Sequence, residues 1–261
     1  MREAKFVLAI GKKGVGKTYE TLKEISRYVR ATGRKVLILD VNNEYGNVRK
    51  DHNNDSFPHI RALAPKDVLK WTVNGIPEVR RIAPIDEKGR ALTTDEIKQL
   101  MFDIIHHFKN GALILEDITR IVSDSVSNVL IGALATQRHA SVDMYMHFQS
   151  IQKAGHPKLW ALCTTVRMHK CEDEVYRHEK KFSDVTSMYL TENIVRLMEK
   201  QDKRFCAFLH KEERKIMGKF NKKHFEKAIE MFLQDNMAIY NRELNRIDLR
   251  TGKKIHKSAA A

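Results

Sequence analysis

The sequence has little cysteine, and the cysteines it has follow no recognisable pattern. Only Cys163, Cys171 and Cys206 occur in 261 residues, and no two of them form a CxxC pair. An odd and sparse set excludes a disulfide-rich scaffold and suits a reducing compartment. A zinc site is disfavoured as well, because no HExxH occurs and the His169-x-Cys171 pair lacks further ligands at zinc spacing.

Long apolar runs and a serine-nucleophile motif are also missing. No stretch approaches the roughly 18 apolar residues of a membrane span, and MREAKFVLAIG at the start passes directly into a motif, unlike a signal peptide. No G-x-S-x-G occurs, so the sequence gives no support to a hydrolase with a serine nucleophile. We therefore expect a soluble cytoplasmic protein without a membrane span.

Acidic side chains are outnumbered by basic ones. The chain has 47 Lys+Arg against 33 Asp+Glu, a formal net charge of +14. This excess favours an anionic partner such as nucleic acid, a nucleotide or an acidic membrane surface. It is uneven, because residues 200–261 hold 16 basic and 8 acidic side chains. Runs of charged residues are most often solvated surface. We therefore interpret residues 200–261 first as a solvated basic extension, and only second as a binding surface.

Short apolar runs alternate with longer amphipathic ones, which predicts βαβ units and an α/β fold with a mainly parallel sheet. The predicted strands are 5–10, 35–39, 59–63, 79–83, 112–115, 142–148 and 165–169. The predicted helices are 17–31, a segment after Pro65, 94 to the stop at Asn110-Gly111, 123–136, 157–163 and a charged helical region over 172–200. Residues 204–210 and 214–220 flank KEE and predict a late β-hairpin, and Asn221 begins a basic amphipathic helix.

The strongest motif is GKKGVGKT at residues 11–18, which matches G-x-x-x-x-G-K-[ST] in full between a predicted strand and a predicted helix. Glycines let the backbone curl so that consecutive N–H groups face phosphate oxygens at the positive end of the helix. Lys17 would reach the β- and γ-phosphates, and the Thr18 hydroxyl would bind Mg²⁺. The predicted nucleotide site consists of Gly11, Gly14, Val15, Gly16, Lys17 and Thr18.

An acidic pair, Glu116 and Asp117, follows the predicted strand 112–115. In phosphate-loop enzymes an acid at the end of a neighbouring strand holds Mg²⁺ and helps to orient the attacking water. The usual order is Asp then Glu, and here it is reversed. Two assignments stay open: Glu116 holds the metal and Asp117 polarises the water, or the strand register is shifted by one and Asp117 faces the metal.

Three more polar segments lie near the carboxyl ends of predicted strands, where α/β proteins bind their ligands. DVNNEY at residues 40–45, with Asn42 and Asn43, directly follows the second predicted strand, at the carboxyl edge of the sheet. Arg138 precedes the strand 142–148, which is followed by Gln149. A neutral amide at that point can sense the γ-phosphate by hydrogen bonding without adding charge. These positions favour a motor ATPase.

Other classes of phosphate-loop protein are alternatives to a motor ATPase. A GTPase is disfavoured because no N-K-x-D guanine motif follows. A small-molecule kinase stays open, because Arg177, Lys180 and Lys181 could form a mobile basic lid. A protein that uses ATP as a switch for assembly or partition stays open as well.

The sequence resembles the FtsK/HerA superfamily of P-loop ATPases, RecA-like motors that pump DNA through rings and include the genome-packaging ATPases of tailless and small tailed phages. The resemblance covers about residues 5–220 and rests on GKKGVGKT, DVNNEY, ALILED, QRHASVDMYMHFQ and FCAFLHKEERKIMGKF. More distantly, the chain resembles the zonula-occludens-toxin-like ATPases of filamentous phage assembly. We therefore expect a RecA-like ATPase domain over residues 1–220 and a basic helical C-terminal extension over 221–261.

The resemblance implies ATP hydrolysis coupled to DNA translocation by a homo-oligomeric ring, most plausibly a viral or mobile-element packaging motor. The implied partners are double-stranded DNA bound without sequence specificity, further copies of the chain, and a viral portal or capsid protein. If the chain is viral, the implied location is the host cytoplasm.

The resemblance also implies roles for individual residues. An arginine from the neighbouring subunit would stabilise the γ-phosphoryl group during hydrolysis, with Arg138 as the first candidate and Arg167 as the second. Gln149 would sense the γ-phosphate. Lys153, Lys158 and the basic stretch 200–261 are candidate contacts to DNA phosphates, which would make binding strongly dependent on salt.

Overall fold

A computed structural model of the chain describes residues 4–46, 49–50, 56–57, 60–73, 76–86, 88–117, 128–137 and 139–244. The strands are β1 (Phe6–Ile10), β2 (Lys35–Leu39), β3 (Arg49–Lys50), β4 (Ser56–Phe57), β5 (Val79–Ile82), β6 (Gly111–Leu115), β7 (Val142–Phe148), β8 (Thr165–Met168), β9 (Ala207–His210) and β10 (Lys215–Met217). The helices are α1 (Lys17–Thr32), α2 (Val68–Val73), α3 (Thr94–His107), α4 (Asn128–Gln137), α5 (Ile151–Ala154), α6 (Pro157–Leu162), α7 (Val185–Met198) and α8 (Lys222–Leu244). Two 3₁₀ segments lie at Pro65–Asp67 and Val175–Lys181.

Eight strands form one sheet in the order β10-β9-β8-β1-β7-β6-β2-β5, and β3 pairs with β4 separately. The six strands from β8 to β5 are parallel, and the β9–β10 hairpin is added antiparallel at one edge. The predicted mainly parallel sheet and the late hairpin are both confirmed. In this order the carboxyl ends of β1, β7, β6 and β2 lie side by side, which brings their following loops together.

Helices cover both faces of the sheet. All five residues of β1, β2 and β6 are buried, as expected for parallel strands with helices on each side. On one face the apolar side of α1 packs against β2 and β6, through Leu22, Ile25, Tyr28, Val36, Ile38, Ala112 and Ile114. On the other face a larger cluster includes α3, which contributes Met101, Ile104 and Ile105.

The start of α3 is stabilised by a reciprocal pair of hydrogen bonds. The Thr93 side chain accepts from the Glu96 backbone N–H, and the Glu96 carboxylate accepts from the Thr93 backbone N–H at 2.7 Å. This reciprocal pair satisfies two N–H groups that an unsupported helix end leaves open. The helix therefore begins at Thr94, where the sequence predicts it.

Three predicted elements differ in their extent. The described part of the helix predicted over 123–136 is α4, which begins at Asn128, and residues 118–127 lie outside the described residues. Within the strand predicted at 59–63, the described residues form only an isolated bridge from Ala62 to Arg81. The charged region 172–200 divides into the 3₁₀ segment and α7, at whose start the Asp184 side chain accepts from the Ser187 backbone N–H at 3.2 Å.

The helix α8 begins near the predicted boundary at residue 220 and packs against α7. The Asn193 amide donates to the Ala228 carbonyl at 3.2 Å, and the rings of Tyr189 and Phe232 lie 5.7 Å apart. Ala228 itself is fully buried. The described part of the predicted extension is thus a docked helix. Among the described residues, no helix has both the length and the apolar composition that crossing a bilayer requires.

Candidate functional site

The loop between β1 and α1 has the backbone that phosphate binding requires. Gly14 and Gly16 have φ values of 83° and 91°, in the left-handed region that residues with a Cβ rarely adopt. Gly11 is packed so closely that an added Cβ would lie 2.7 Å from the Cβ of His169. The helix α1 starts at Lys17, so its positive end points at the loop. The glycines of the motif are therefore required by this geometry.

Lys17 lies at the centre of the loop and faces acidic side chains. Its ammonium group donates to the carbonyl of Gly11 and, at 2.7 Å, to that of Lys12. Burial lowers the pKa of Lys17, and the negative charges of Glu116, Glu44 and Asp117 act in the opposite direction. A cation surrounded in this way can exchange its carbonyl partners for phosphate oxygens at little structural cost.

Glu44 is a site residue that the sequence did not single out. The buried Thr18 hydroxyl donates to the Glu44 carboxylate, so the side chain expected to bind Mg²⁺ already has an acid beside it. Asp40 holds this segment in place, because its carboxylate accepts from the backbone N–H groups of Glu44 at 2.7 Å and Tyr45 at 3.0 Å. The available signal was an acid inside DVNNEY, the segment that directly follows β2.

Glu116 is the first residue after β6 and is only 3% exposed. Its carboxylate contacts Nδ1 of His147 and accepts from the Tyr45 hydroxyl at 3.2 Å. Burial by itself raises the pKa of a carboxyl, but the contact with His147 and the charge of Lys17 outweigh it and lower the pKa of Glu116. This acid is therefore held in its anionic form.

Asp117 turns toward the end of the neighbouring strand. Its φ of 46° is unusual for a residue with a Cβ. One carboxylate oxygen accepts from the Asn42 amide at 3.0 Å and from the Gln149 amide at 2.9 Å. The structure thus brings together the predicted acid, the predicted amide sensor and one of the two predicted asparagines. The other, Asn43, accepts instead from the Arg81 guanidinium at 2.6 Å.

One open cavity of about 630 Å³ joins these groups. Its lining includes the loop from Lys13 to Thr18, the acids Glu116 and Asp117, and Gln149. This volume lies within the range of pockets that bind small molecules. Tyr19 and Arg204 line the same cavity.

Arg204 is a second site residue that the sequence missed. An added Cβ at Gly16 would lie 3.1 Å from the Arg204 Cβ, so the arginine packs directly on the phosphate loop. Its guanidinium lies over the Tyr19 ring at 4.9 Å from the ring centroid, and the Lys23 ammonium lies 4.1 Å from the same centroid. No sequence signal indicates this contact, because it depends on the order of strands in the sheet.

The arginines predicted to act across a subunit boundary have different outcomes. Arg138 lies outside the described residues. The prediction for Arg167 is wrong, because this side chain is fully buried inside its own subunit. Its guanidinium donates to the Glu24 carboxylate and, at 2.6 Å, to the Thr21 hydroxyl. A side chain held in this way cannot reach a neighbouring molecule.

Neither Lys153 and Lys158, predicted to contact DNA, nor the residues of the predicted kinase lid line the cavity of about 630 Å³. Lys153 lines a second cavity of about 430 Å³, which shares Lys13 and Gln149 with the first, and Lys158 is exposed on α6. Arg177, Lys180 and Lys181 lie on the 3₁₀ segment, where Lys181 donates to the Gln152 carbonyl at 2.9 Å.

The residues present fit a magnesium ion that arrives with a nucleotide. Among the described residues, no three or more His, Cys, Asp or Glu side chains form a cage that could hold a metal by themselves. Mg²⁺ in nucleotide sites keeps several waters and takes only one or two protein ligands along with phosphate oxygens. The oxygen donors of Thr18, Glu44, Glu116 and Asp117 line the cavity and suit this hard cation.

Comparison with known proteins supports the fold. No protein-family model matches the chain, and comparison with curated proteins finds no match. The genome packaging NTPase B204 from Sulfolobus turreted icosahedral virus 2 matches in its sulfate complex with a TM-score of 0.56 and 13% identity, covering 83% of this chain and 96% of that chain. Its ATP-gammaS complex matches with a TM-score of 0.55 and 14% identity, covering 83% and 97%.

A third match is weaker. The N-terminal domain of zonular occludens toxin from Neisseria meningitidis has a TM-score of 0.38 and 14% identity, covering 72% of this chain and all of that chain, which is too low to carry an argument. At these identities the likeness to B204 shows the fold alone. The predicted α/β P-loop NTPase fold is thereby confirmed, and so, at the level of architecture, is the resemblance to viral packaging ATPases.

Proposed function

We propose that this chain is an ATPase that hydrolyses ATP with Mg²⁺ in the cavity behind the 11–18 loop. One observation carries the proposal: the phosphate loop after β1, Glu44 after β2 and the two acids after β6 all line a single cavity. Phosphate binding, metal binding and water activation need these three groups at one place. A glycine-rich turn that matched the motif by chance would not bring the acids to it.

In this mechanism the loop and Lys17 bind the triphosphate. The backbone N–H groups of residues 14–18 would contact the phosphate oxygens, and the Lys17 ammonium would move from its loop carbonyls to the β- and γ-phosphates. Mg²⁺ bound beside Thr18 would neutralise charge on the same phosphates. Preorganised donors of this kind stabilise the charge of the transition state without further rearrangement.

The two acids would divide the remaining work. Glu116 directly follows β6, is anionic, and its charge opposes the burial that lowers the pKa of Lys17, which supports a role beside the metal. Asp117 bonds to Gln149, which supports a role at the attacking water, where the amide would report whether the γ-phosphate is present. The geometry therefore favours the first of the two assignments that the sequence left open.

We further propose that ATP hydrolysis drives movement of double-stranded DNA through a ring of identical subunits, as in the FtsK/HerA superfamily. Two observations support this step: the fold is that of a genome packaging NTPase, and the net charge of +14 favours a polyanionic partner.

Arg138 remains the proposed arginine that a neighbouring subunit supplies to the γ-phosphoryl group. Exposed lysines in and around the β9–β10 hairpin and at the start of α8 would contact DNA phosphates: Lys203, Lys215, Lys219, Lys222 and Lys223. A portal or capsid partner and a location in the host cytoplasm belong to the same proposal.

The deciding experiment is the ATPase rate with and without double-stranded DNA over a series of protein concentrations. A motor gives a rate per chain that rises with DNA and with assembly, and Lys17→Ala is the matched inactive control. A rate per chain that changes neither with DNA nor with protein concentration contradicts the motor. Transfer of the phosphate to an acceptor molecule would indicate the kinase instead, and slow hydrolysis that is indifferent to Arg138→Ala would indicate an assembly switch.

A further inference from the structure

A buried histidine on β7 connects Glu116 to an arginine two strands away. His147 has no exposed surface. Its Nδ1 contacts the Glu116 carboxylate, while its Nε2 lies 3.2 Å from Nη2 of Arg167 and 3.1 Å from the Thr21 hydroxyl. Nothing in the motif that places Glu116 after β6 requires a histidine here.

The strand register explains how the arginine reaches the histidine. β1 lies between β7 and β8, and Ala9 of β1 is paired in register with both His147 and Arg167. Residues in register on neighbouring parallel strands point to the same face of the sheet. Because Ala9 contributes only a methyl group, the long Arg167 side chain can cross over β1 and meet the imidazole.

Arg167 fixes which nitrogen of His147 carries the proton. A guanidinium group has only donors, so a nitrogen beside it must present its lone pair. Nε2 is therefore the acceptor, and in the neutral ring the proton lies on Nδ1, the nitrogen that faces Glu116. Arg167 is itself held by Glu24 and by the Thr21 hydroxyl, both on α1. The order of contacts is thus α1, Arg167, His147, Glu116.

We propose that His147 is a positioning residue that holds the Glu116 carboxylate in its working orientation, with its tautomer set by Arg167. The inference rests on the proposed ATPase function only for its consequence in catalysis. A histidine fixed by a partner on its second nitrogen orients the group on its first, as the outer partners of metal ligands commonly do. The burial of all three side chains makes the orientation rigid.

Two amide variants separate this role from simple packing. In His147→Asn the side-chain nitrogen can replace Nδ1 and keep a donor toward Glu116, whereas in His147→Gln it reaches only toward the position of Nε2. We expect His147→Gln to lower kcat by about 10- to 100-fold with the KM for ATP little changed. His147→Asn should recover most of that loss, and His106→Asn, at an exposed position on α3, serves as the unaffected control.

A spectroscopic measurement on the unmodified protein tests the inference without relying on activity or on the folding of variants. Nitrogen-15 NMR of the imidazole rings, recorded where neutral histidine predominates, should show His147 protonated on Nδ1. A proton on Nε2, or equal losses in the two amide variants, would overturn the proposal. If the protein fails to hydrolyse ATP but His147 carries its proton on Nδ1, the proposed function fails while the arrangement of the ring stands.

Discussion

The Gln149 amide donates to the Asp117 carboxylate at 2.9 Å, across the ends of the adjacent parallel strands β7 and β6. The same carboxylate oxygen also accepts from Asn42 at 3.0 Å. Two neutral amides thus hold one acid at the mouth of the phosphate loop. A γ-phosphate that bound Gln149 would compete for the amide and so change the partners of Asp117, which links occupancy of the site to the state of its acid.

Gln149→Glu should therefore impair hydrolysis more than nucleotide binding. The change keeps the size of the side chain, but it removes the donor and places a second negative charge beside Asp117. We expect kcat to fall about 100-fold, the usual scale for losing one positioned donor. Steady-state kinetics with ATP will check this, and Gln201→Glu, at an exposed position, is the matched control. An unchanged kcat would remove Gln149 from the mechanism.

Glu44→Gln should weaken the use of Mg²⁺. The Glu44 carboxylate contacts the Thr18 hydroxyl, so its charge acts where the ion would bind. We expect the Mg²⁺ concentration that gives half-maximal rate to rise about 10-fold. Rates measured across a magnesium titration will show the shift, with Glu230→Gln on the exposed side of α8 as the control. The same magnesium dependence in both variants would assign Glu44 a purely structural role.

Arg204→Met should weaken nucleotide binding without a comparable change in kcat. The aliphatic stem of Arg204 packs on Gly16, its guanidinium lies over the Tyr19 ring, and the residue lines the cavity beside the phosphate loop. A partly exposed cation in such a position contributes about 1 kcal/mol, which corresponds to roughly a fivefold rise in KM for ATP. Arg214→Met, at the 80% exposed arginine of the hairpin, is the control. A loss confined to kcat would contradict this placement.

Glu192 should make stability depend on pH. Burial raises its pKa to about 7, from 4.5 for a free side chain, although Arg196 lies 3.5 Å away and acts against the rise. The folded state thus favours the protonated acid, so the stability this group contributes is complete below the unfolded pKa and is lost as pH rises through about 7. The loss is on the order of 3 kcal/mol.

Urea unfolding of the wild type and of Glu192→Gln, at about pH 5 and about pH 8, isolates this contribution. The glutamine variant cannot ionise at this position. We expect the free energy of unfolding of the wild type to fall relative to the variant as the pH rises. If the free energies of unfolding of the two proteins changed in parallel with pH, ionisation of Glu192 would not destabilise the folded state, and this prediction would be contradicted.

Local signals explain why the sequence predicts the core of the site. Three elements of the site are adjacent in the chain: the strand before Gly11, the glycine turn and the helix from Lys17. The periodicity of the apolar residues and the glycine motif are therefore enough to predict them. The strands at 35–39 and 142–148 are found at their predicted bounds, because each is a short apolar or alternating run with clear ends. Adjacency in sequence is enough for these elements.

The parts that the sequence could not predict depend on the order of strands. Arg204 meets Gly16 only because the hairpin is added beside β8, and Arg167 is buried only because β8 lies next to β1 under α1. A single sequence gives no direct signal of strand order, so it does not distinguish the buried Arg167 from an arginine that acts on a neighbouring subunit. Glu44 has no distinguishing local signal, because an acid inside DVNNEY does not by itself indicate a contact with Thr18.

The most direct test of the central claim is calorimetric titration of ATP-gammaS with Mg²⁺ into the wild type and into Lys17→Ala. The account predicts one binding site per chain in the wild type, dependent on Mg²⁺, and no measurable binding in the variant, whose circular dichroism spectrum should match that of the wild type. Absence of binding to the wild type, or equal binding to a folded Lys17→Ala protein, would contradict the nucleotide site and the ATPase proposed to use it.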